Sequence, residues 1–204
     1  MAVFYWACHG RTPVAAPAKD TVTAEVRPVY GIAAKDTGKK PVARVNADRS
    51  GEDGDELKVF YNGYIASYTQ PCVIDSAFQL GVAHYRLQVK DSCLMDSAIT
   101  VPKGYVDMYK LDSFVTHNFI SKVRLEKEGK MILERVITKK DFNPLLFEAQ
   151  RRYAAMMCPN MDLKGDTILV GYSISIPLTD VGTLEYMVID RGGNVTFRKP
   201  GPGD

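Results

Sequence analysis

The four cysteines are the residues of this chain with the widest choice of chemistry. Their spacing includes no CxxC pair and no metal-ligand pattern. The four are Cys8, Cys72, Cys93 and Cys158. Cys72 and Cys93 flank a segment that can fold back on itself, which makes them a candidate disulfide pair in an oxidising compartment. Four scattered thiols in a reducing compartment account for the same residues, so the cysteines alone leave the compartment open.

Cys8 follows a short apolar stretch, residues 1–7. That stretch has no basic region before it and is too short for a complete secretory signal. One interpretation makes Cys8 a lipidation site whose signal peptide is only partly present. In the other, Phe4, Tyr5 and Trp6 pack on the domain or on a partner, and Cys8 is an ordinary thiol.

Motifs for catalysis or cofactor binding fail on spacing. Residues 171–175 lack one glycine of a nucleophile elbow and lie inside a strand pattern. Residues 38–40 lack the glycine spacing and the hydroxyl of a phosphate-binding loop. The acidic residues 48–56 lack the glycine and the final glutamate of a calcium loop. The histidines, His9, His84 and His117, are far apart in sequence. The sequence therefore predicts no catalytic, cofactor-binding or metal residue and no cofactor, and it favours a protein that is not an enzyme.

Basic charge and proline set residues 1–50 apart from the rest. The chain has 204 residues, with 46% hydrophobic and 25% charged, as in a globular domain with an appended segment. Prolines interrupt residues 1–50, which carry eight Lys or Arg against four Asp or Glu, and this predicts an extended basic arm. Within it, Thr21–Val29 alternates like an edge strand of its own sheet or of a neighbour's. The predicted division is an arm (1–50), one β-rich domain (51–199) and a flexible tail (200–204).

The centre of that domain is predicted at Thr167–Ile176. Large apolar residues fall at every second position from Ile168, which is typical of a half-buried strand. A helix at about 144–157 is predicted to cover its apolar face. Asn143 is a good N-cap, Pro144 suits the first helical position, and apolar side chains then recur at helical spacing; they are Leu146, Ala149, Tyr153 and Met156.

Turn signals predict hairpins on either side of these elements. One hairpin is predicted over residues 57–68 around Asn62-Gly63, and a second joins Phe119–Glu126 to Met131–Thr138. Strands are also predicted at 105–109 and 114–119, and at Leu184–Asp190 and Val195–Arg198, while residues 72–90 fit either a short helix or strands. The predicted fold class is α+β: mostly antiparallel β meander and hairpins, one amphipathic helix at about 144–157 packed on the sheet, and an extended N-terminal arm.

The hypothesis that fits these features is a non-enzymatic structural or assembly protein of a cell envelope, in the periplasm or at the outer membrane. Its partners would be other protein subunits in an oligomer or larger assembly, and a lipid on Cys8 is its candidate membrane tether. The alternative is a capsid or virion subunit whose basic arm reaches a neighbour or packaged nucleic acid; only that alternative predicts nucleic-acid binding. A small hydrolase or ligand-binding enzyme would need a site assembled from distant residues.

Overall fold

The structure is a computed structural model that describes residues 52–202. The predicted arm, with Cys8, lies outside the described residues. The helices are α1 (Glu52–Ala66), α2 (Lys103–Val106) and α3 (Glu148–Tyr153). The strands are β1 (Cys72–Leu80), β2 (Ala83–Cys93), β3 (Ile99–Pro102), β4 (Ser113–Thr116), β5 (Phe119–Lys127), β6 (Lys130–Thr138), β7 (Ala155–Met156), β8 (Asn160–Lys164), β9 (Thr167–Ser175), β10 (Gly182–Ile189) and β11 (Val195–Arg198). The predicted α+β class with mostly antiparallel strands is confirmed.

Two antiparallel sheets supply most of one hydrophobic core. The first sheet has the order β1-β2-β5-β6, and the second has the order β11-β10-β9-β7 with β8 also paired to β9. Strands β3 and β4 form a separate ribbon. Inward residues of the first sheet, such as Leu87 and Leu125, lie in the same buried cluster as Val170 and Ile174 of the second. The two sheets therefore face each other across the core.

Tight turns set the register of the first sheet. Leu80 lies opposite Ala83 with two residues between them, and Gly81 takes a left-handed conformation with φ 63°. The predicted hairpin of β5 and β6 is confirmed: its two central residues, Glu128 and Gly129, have φ of 48° and 72°. Positive φ at both central positions gives the twist that suits a two-residue hairpin loop.

The predicted hairpin at residues 57–68 is wrong, because Glu52–Ala66 forms α1. Tyr61 and Tyr64, three positions apart, are both buried against Phe114 of β4, with ring centroids 5.8 Å away in each case. A glycine inside a helix costs about 1 kcal/mol. Burial of the tyrosines outweighs the turn preference of Asn62-Gly63.

The predicted helix at about 144–157 is confined to α3, Glu148–Tyr153. Residue 147, not Asn143, stands at its N-cap, and Leu146 is buried in the turn before the helix. Ala154 is already extended, with ψ 148°, and Met156 then pairs with Ile174 of β9. Strand pairing with β9 therefore ends the helix earlier than the local spacing predicts.

The remaining strand predictions hold in the second sheet and fail between residues 105 and 109. Strand β9 occupies Thr167–Ser175, and β10 and β11 follow as the predicted meander. The segment at 105–109 forms the end of α2 and a 3-10 turn instead of a strand. Residues 72–90 form β1 and most of β2 rather than a helix.

Candidate functional site

A disulfide between Cys72 and Cys158 joins the two sheets. Cys72 begins β1, and Cys158 lies in the chain between β7 and β8 of the second sheet. Their Cα atoms are 5.6 Å apart, and 86 residues separate them in sequence. The disulfide predicted between Cys72 and Cys93 is therefore wrong.

The strand register explains why the predicted pair does not form. Cys72 lies directly opposite Asp91, whereas Cys93 lies opposite Phe119 of β5. Cys93 thus sits diagonally from Cys72, at the separation of about 7–8 Å typical of diagonal neighbours, which is longer than a disulfide spans without backbone movement. No sequence signal pointed to the true partner, because Cys158 lies just past the end of the predicted helix.

Cys93 remains a free, half-buried thiol at the end of the sheet where α1 packs. The hydroxyls of Tyr64 and Tyr68 lie 3.1 Å and 2.7 Å from Oγ1 of Thr116. His117 accepts the Ser97 backbone N–H through Nδ1 at 2.8 Å, and its ring contacts the edge of Tyr68 at 4.6 Å between centroids. This group brings a thiol and an imidazole to one end of the fold.

The electrostatics of this group do not suit a nucleophile. Burial raises the pKa of the Cys93 thiol, and the nearby carboxylates of Asp96 and Asp91 raise it further. A catalytic cysteine needs a lowered pKa so that the thiolate is populated near neutral pH. The surroundings of Cys93 therefore do not favour its thiolate.

A second polar group lies inside the core, between the two sheets. Asp91 of β2 is 3% exposed and faces Ser121 of β5 across the strands. The Ser121 hydroxyl donates a hydrogen bond of 2.6 Å to Oδ1 of Asp91. Burial raises the pKa of Asp91 to about 6, and the hydrogen bond from Ser121 only partly opposes this. Tyr172 of β9 approaches the same pair from the second sheet, but its buried hydroxyl makes no hydrogen bond with normal geometry.

The polar group continues through the second sheet. Glu185 of β10 lies opposite Tyr172, and it is 1% exposed. Burial raises its pKa, while Thr183 and Lys199 lower it less. Gln150 of α3 donates hydrogen bonds to Thr183 Oγ1 at 3.0 Å and to a backbone carbonyl of β9 at 3.3 Å. Both carboxyl oxygens of Glu185 lack a hydrogen-bond partner, and so does Oε1 of Gln150.

Sequence reasoning missed this interior group, which we call the interior polar group: Asp91, Ser121, Gln150, Tyr172, Thr183 and Glu185. The alternation of the strands was a signal for two of these residues, Asp91 and Ser121. Asp91 continues the inward alternation of Tyr85, Leu87 and Val89, and Ser121 stands between apolar neighbours in the same way. For β10, alternation puts Leu184 and Glu185 on opposite faces without saying which is inward, and the structure turns Glu185 and the buried Met187 into the core.

Chemically, the interior polar group disfavours ionised carboxyls, so its acids bind their protons more tightly than they would in water. Two carboxyls with raised pKa values lie between packed sheets, where the ionised form is poorly solvated. Among residues 52–202, no group of three or more His, Cys, Asp or Glu side chains could hold a metal ion. Over the same residues, no helix combines the length and apolar character needed to cross a membrane.

The outward face of the first sheet is a salt-bridged surface. Arg86 binds Asp75 through two hydrogen bonds of 2.8 Å and 2.7 Å, and Arg124 binds Glu134 at 2.6 Å and 2.8 Å. The hydrogen bonds from Arg86 lower the pKa of Asp75 to about 2. This pattern is that of a solvated face, as the interleaved charges of the sequence indicate.

Two comparisons with known proteins found no match to this chain. No protein-family model matches the chain, and a search of curated proteins finds no similar sequence.

Proposed function

We propose that this chain is a non-enzymatic structural or assembly protein of a cell envelope, acting through protein–protein contacts. The observation that carries the proposal is the disulfide between Cys72 and Cys158. Structural disulfides form and persist in oxidising compartments and are rare in the cytosol. Because this bond joins β1 of the first sheet to the chain between β7 and β8 of the second, it stabilises the domain in an oxidising compartment.

The chemistry of the remaining polar residues supports a non-catalytic role. The free thiol of Cys93 has a raised pKa, and the carboxyls of Asp91 and Glu185 lie between the sheets. A general acid or base must reach the proton that it transfers. Burial of these groups supports a structural use of the domain rather than turnover of a substrate.

The finer form of the proposal has a lipid on Cys8 as the membrane tether. It rests on the apolar stretch before Cys8 and on the basic, proline-bearing arm that follows. Mass spectrometry of the mature N-terminus tests it: a diacylglyceryl-modified Cys8 supports the tether, and an unmodified Cys8 removes it while leaving the envelope proposal intact.

Disulfide mapping of the chain from its native cells tests the proposal directly. Trypsin places the cysteines in separate peptides, residues 1–11, 59–86, 91–103 and 153–164. After alkylation in intact cells, we expect a linked pair of peptides 59–86 and 153–164, in the envelope fraction, with peptide 91–103 alkylated. The matched control is Cys93→Ser, which should leave the linked pair unchanged.

Two outcomes would contradict the proposal. Cys72 and Cys158 both alkylated, in a cytosolic fraction, would place the protein in a reducing compartment. Recovery of the chain in nuclease-resistant particles with packaged nucleic acid would replace it with the virion alternative.

A further inference from the structure

The free edge of the first sheet, strand β1, lacks the features that normally block pairing with another chain. Among the strands of residues 52–202 it pairs only with β2, in nine consecutive positions without a bulge. It contains no proline, lysine or arginine, and its single charge, Asp75, is bound by Arg86 and by Gln88 at 3.0 Å. Natural proteins usually protect long edges with lysine, proline, bulges or shortness.

The other edges of the two sheets have such protection. Strand β6 has a register irregularity against β5 between Leu125 and Glu126, and it carries several charged residues. The loop after β10 also approaches it: a Cβ on Gly193 would lie 2.9 Å from the Ile132 carbonyl oxygen. In the second sheet, β11 has four residues, β7 two and β8 five. Of the edges in residues 52–202, only β1 is long, regular and unprotected.

The inward side of β1 is also incompletely covered. Ile74 and Leu80 are buried, but Ser76 and Phe78, which face the same way, are only half-buried. Phe78 stacks on Tyr85 of β2, with 5.9 Å between ring centroids, so one of its sides remains available. A strand added beside β1 would extend the core over both half-buried residues.

We infer that β1 is the site at which two copies of this chain join, by antiparallel pairing of β1 with β1. Pairing all nine residues centres the two-fold axis on Ser76. Each Ile74 then faces Phe78 of the other copy on the inward side, and each Asp75 faces Ala77 on the outward side. No pair brings like charges opposite each other, and the contact is self-complementary, as a two-fold interface requires. The two four-stranded sheets become one continuous sheet.

This contact gives the proposed assembly protein its first subunit interface, and in that sense it rests on the proposed function. The proposed function and the β1 contact can be refuted independently of each other. Disulfide mapping and fractionation test the compartment and the role, whereas the oligomeric state of the purified chain tests the β1 contact.

Substituting Ala77 with an acidic or a basic residue gives a matched test, because each charge should have opposite effects on the stability of the monomer and on the dimer contact. Within one copy Ala77 lies opposite Arg86, and in the dimer it lies opposite Asp75 of the second copy. Ala77→Asp therefore suits the monomer but repels the second copy at two symmetric positions. Ala77→Lys opposes Arg86 but attracts the second copy.

Sedimentation equilibrium of the full-length chain measures the result. We expect wild type and Ala77→Lys to be dimers, and Ala77→Asp to dissociate about 2- to 30-fold more readily than wild type, since each of its two like-charge pairs costs roughly 0.2–1 kcal/mol. Thermal unfolding at a dilution where every variant is monomeric should rank the variants the other way, with Ala77→Asp at least as stable as Ala77→Lys. General destabilisation cannot produce that combination.

A cross-link tests the register independently. In a chain with Cys8 and Cys93 replaced by serine, Ser76→Cys should form a covalent dimer on mild oxidation, because only residue 76 faces itself across the axis. The control, Ala77→Cys in the same background, should cross-link far more slowly.

Three results would overturn the inference. The first is a wild-type chain that stays monomeric across the concentration series, as expected if residues 21–29 of the same chain occupy β1. The second is a dimer equally stable with Asp and Lys at position 77, as expected if residues 1–51 hold the copies together. The third is equal cross-linking at positions 76 and 77.

Discussion

The two sheets of this protein differ in which faces of their strands are buried. Strands β2 and β5 of the first sheet alternate, with mostly apolar residues inward and salt-bridged residues such as Arg86 and Arg124 outward. The second sheet is buried on both faces along β9, where Leu169 and Gly171 are as inaccessible as Val170 and Tyr172. The comparison indicates that β9 carries the stability of the fold, while the first sheet presents the surface and the open edge.

The sheets also differ in how they hold a buried carboxyl. Asp91 of the first sheet has a hydrogen bond from Ser121, whereas both oxygens of Glu185 in the second sheet lack a partner. A satisfied buried polar group costs little net free energy, but an unsatisfied one bears its full desolvation penalty. The second sheet therefore offers more room for stabilising substitution.

The largest expected effect is at Ile174, which is completely buried in β9. Ile174→Asn should lower the free energy of unfolding by about 5 kcal/mol, because it loses packing and buries an unpaired amide. Urea denaturation would measure it, with Ile174→Val expected to cost about 1 kcal/mol. The matched change in the first sheet is Val136→Asn, at a residue 51% exposed. Equal losses at the two positions would refute the contrast between the sheets.

The next effect is a pH dependence from Asp91, whose pKa is raised from 3.8 to about 6. Between these values the folded chain keeps the proton that the unfolded chain releases, so stability should fall as pH rises from 4 to 6. The loss should be about 3 kcal/mol, from about 1.4 kcal/mol for each pKa unit.

Unfolding free energies of wild type and Asp91→Asn across this pH range would measure the effect as their difference. The asparagine variant should lack this part of the slope, because it has no proton to lose at that position. Parallel profiles would show that Asp91 is solvated like an ordinary carboxylate.

A smaller effect of opposite sign is expected at Glu185. Glu185→Met should raise the free energy of unfolding at neutral pH by about 1–2 kcal/mol, because it removes two unpaired buried oxygens and keeps the volume. Glu185→Gln should gain less, since it leaves polar atoms unpaired. A loss of stability with methionine would indicate that the carboxyl has a partner in solution.

The smallest effect is expected on the outward face of the first sheet. Arg124 and Glu134 are 55% and 60% exposed in their side chains. Arg124→Ala should change stability by less than about 1 kcal/mol, and the coupling energy with Glu134→Ala should fall further in high salt. A double-mutant cycle measures it. A coupling comparable to the Ile174 effect would mean that this face is not simply solvated.

Local patterns were enough for much of the sheet structure. The β5–β6 hairpin follows from alternation on both sides of Gly129, and β9 follows from the large residues at every second position. These signals are local, because the period of a strand and the φ of a turn depend on near neighbours. These local signals predict the structure correctly where no contact between distant residues opposes them.

The candidate site could be predicted only in part, since its members come from different elements. The alternation of β2 places Asp91 inward, but only the packing of the sheets brings Tyr172 and Glu185 near it. The alternation of β10 puts Leu184, Tyr186 and Val188 on one face and Glu185 on the other, but it does not say which face is inward. Register decides such orientations, and a shift by one residue exchanges the faces of a strand.

By itself, the sequence determined the class of fold, the later strands of both sheets and the turn at Gly129. The tertiary structure decided that Asn62-Gly63 lies in a helix, that strand pairing ends α3 at Tyr153, and that Cys72 bonds to Cys158 rather than to Cys93. In the two helices a contact between distant residues outweighed a local preference, which for the glycine in α1 is about 1 kcal/mol; the cysteine pairing follows from where the strands place the thiols. Burial of tyrosines, pairing with β9 and the distance between strands are set by the whole fold, and no short stretch of sequence encodes them.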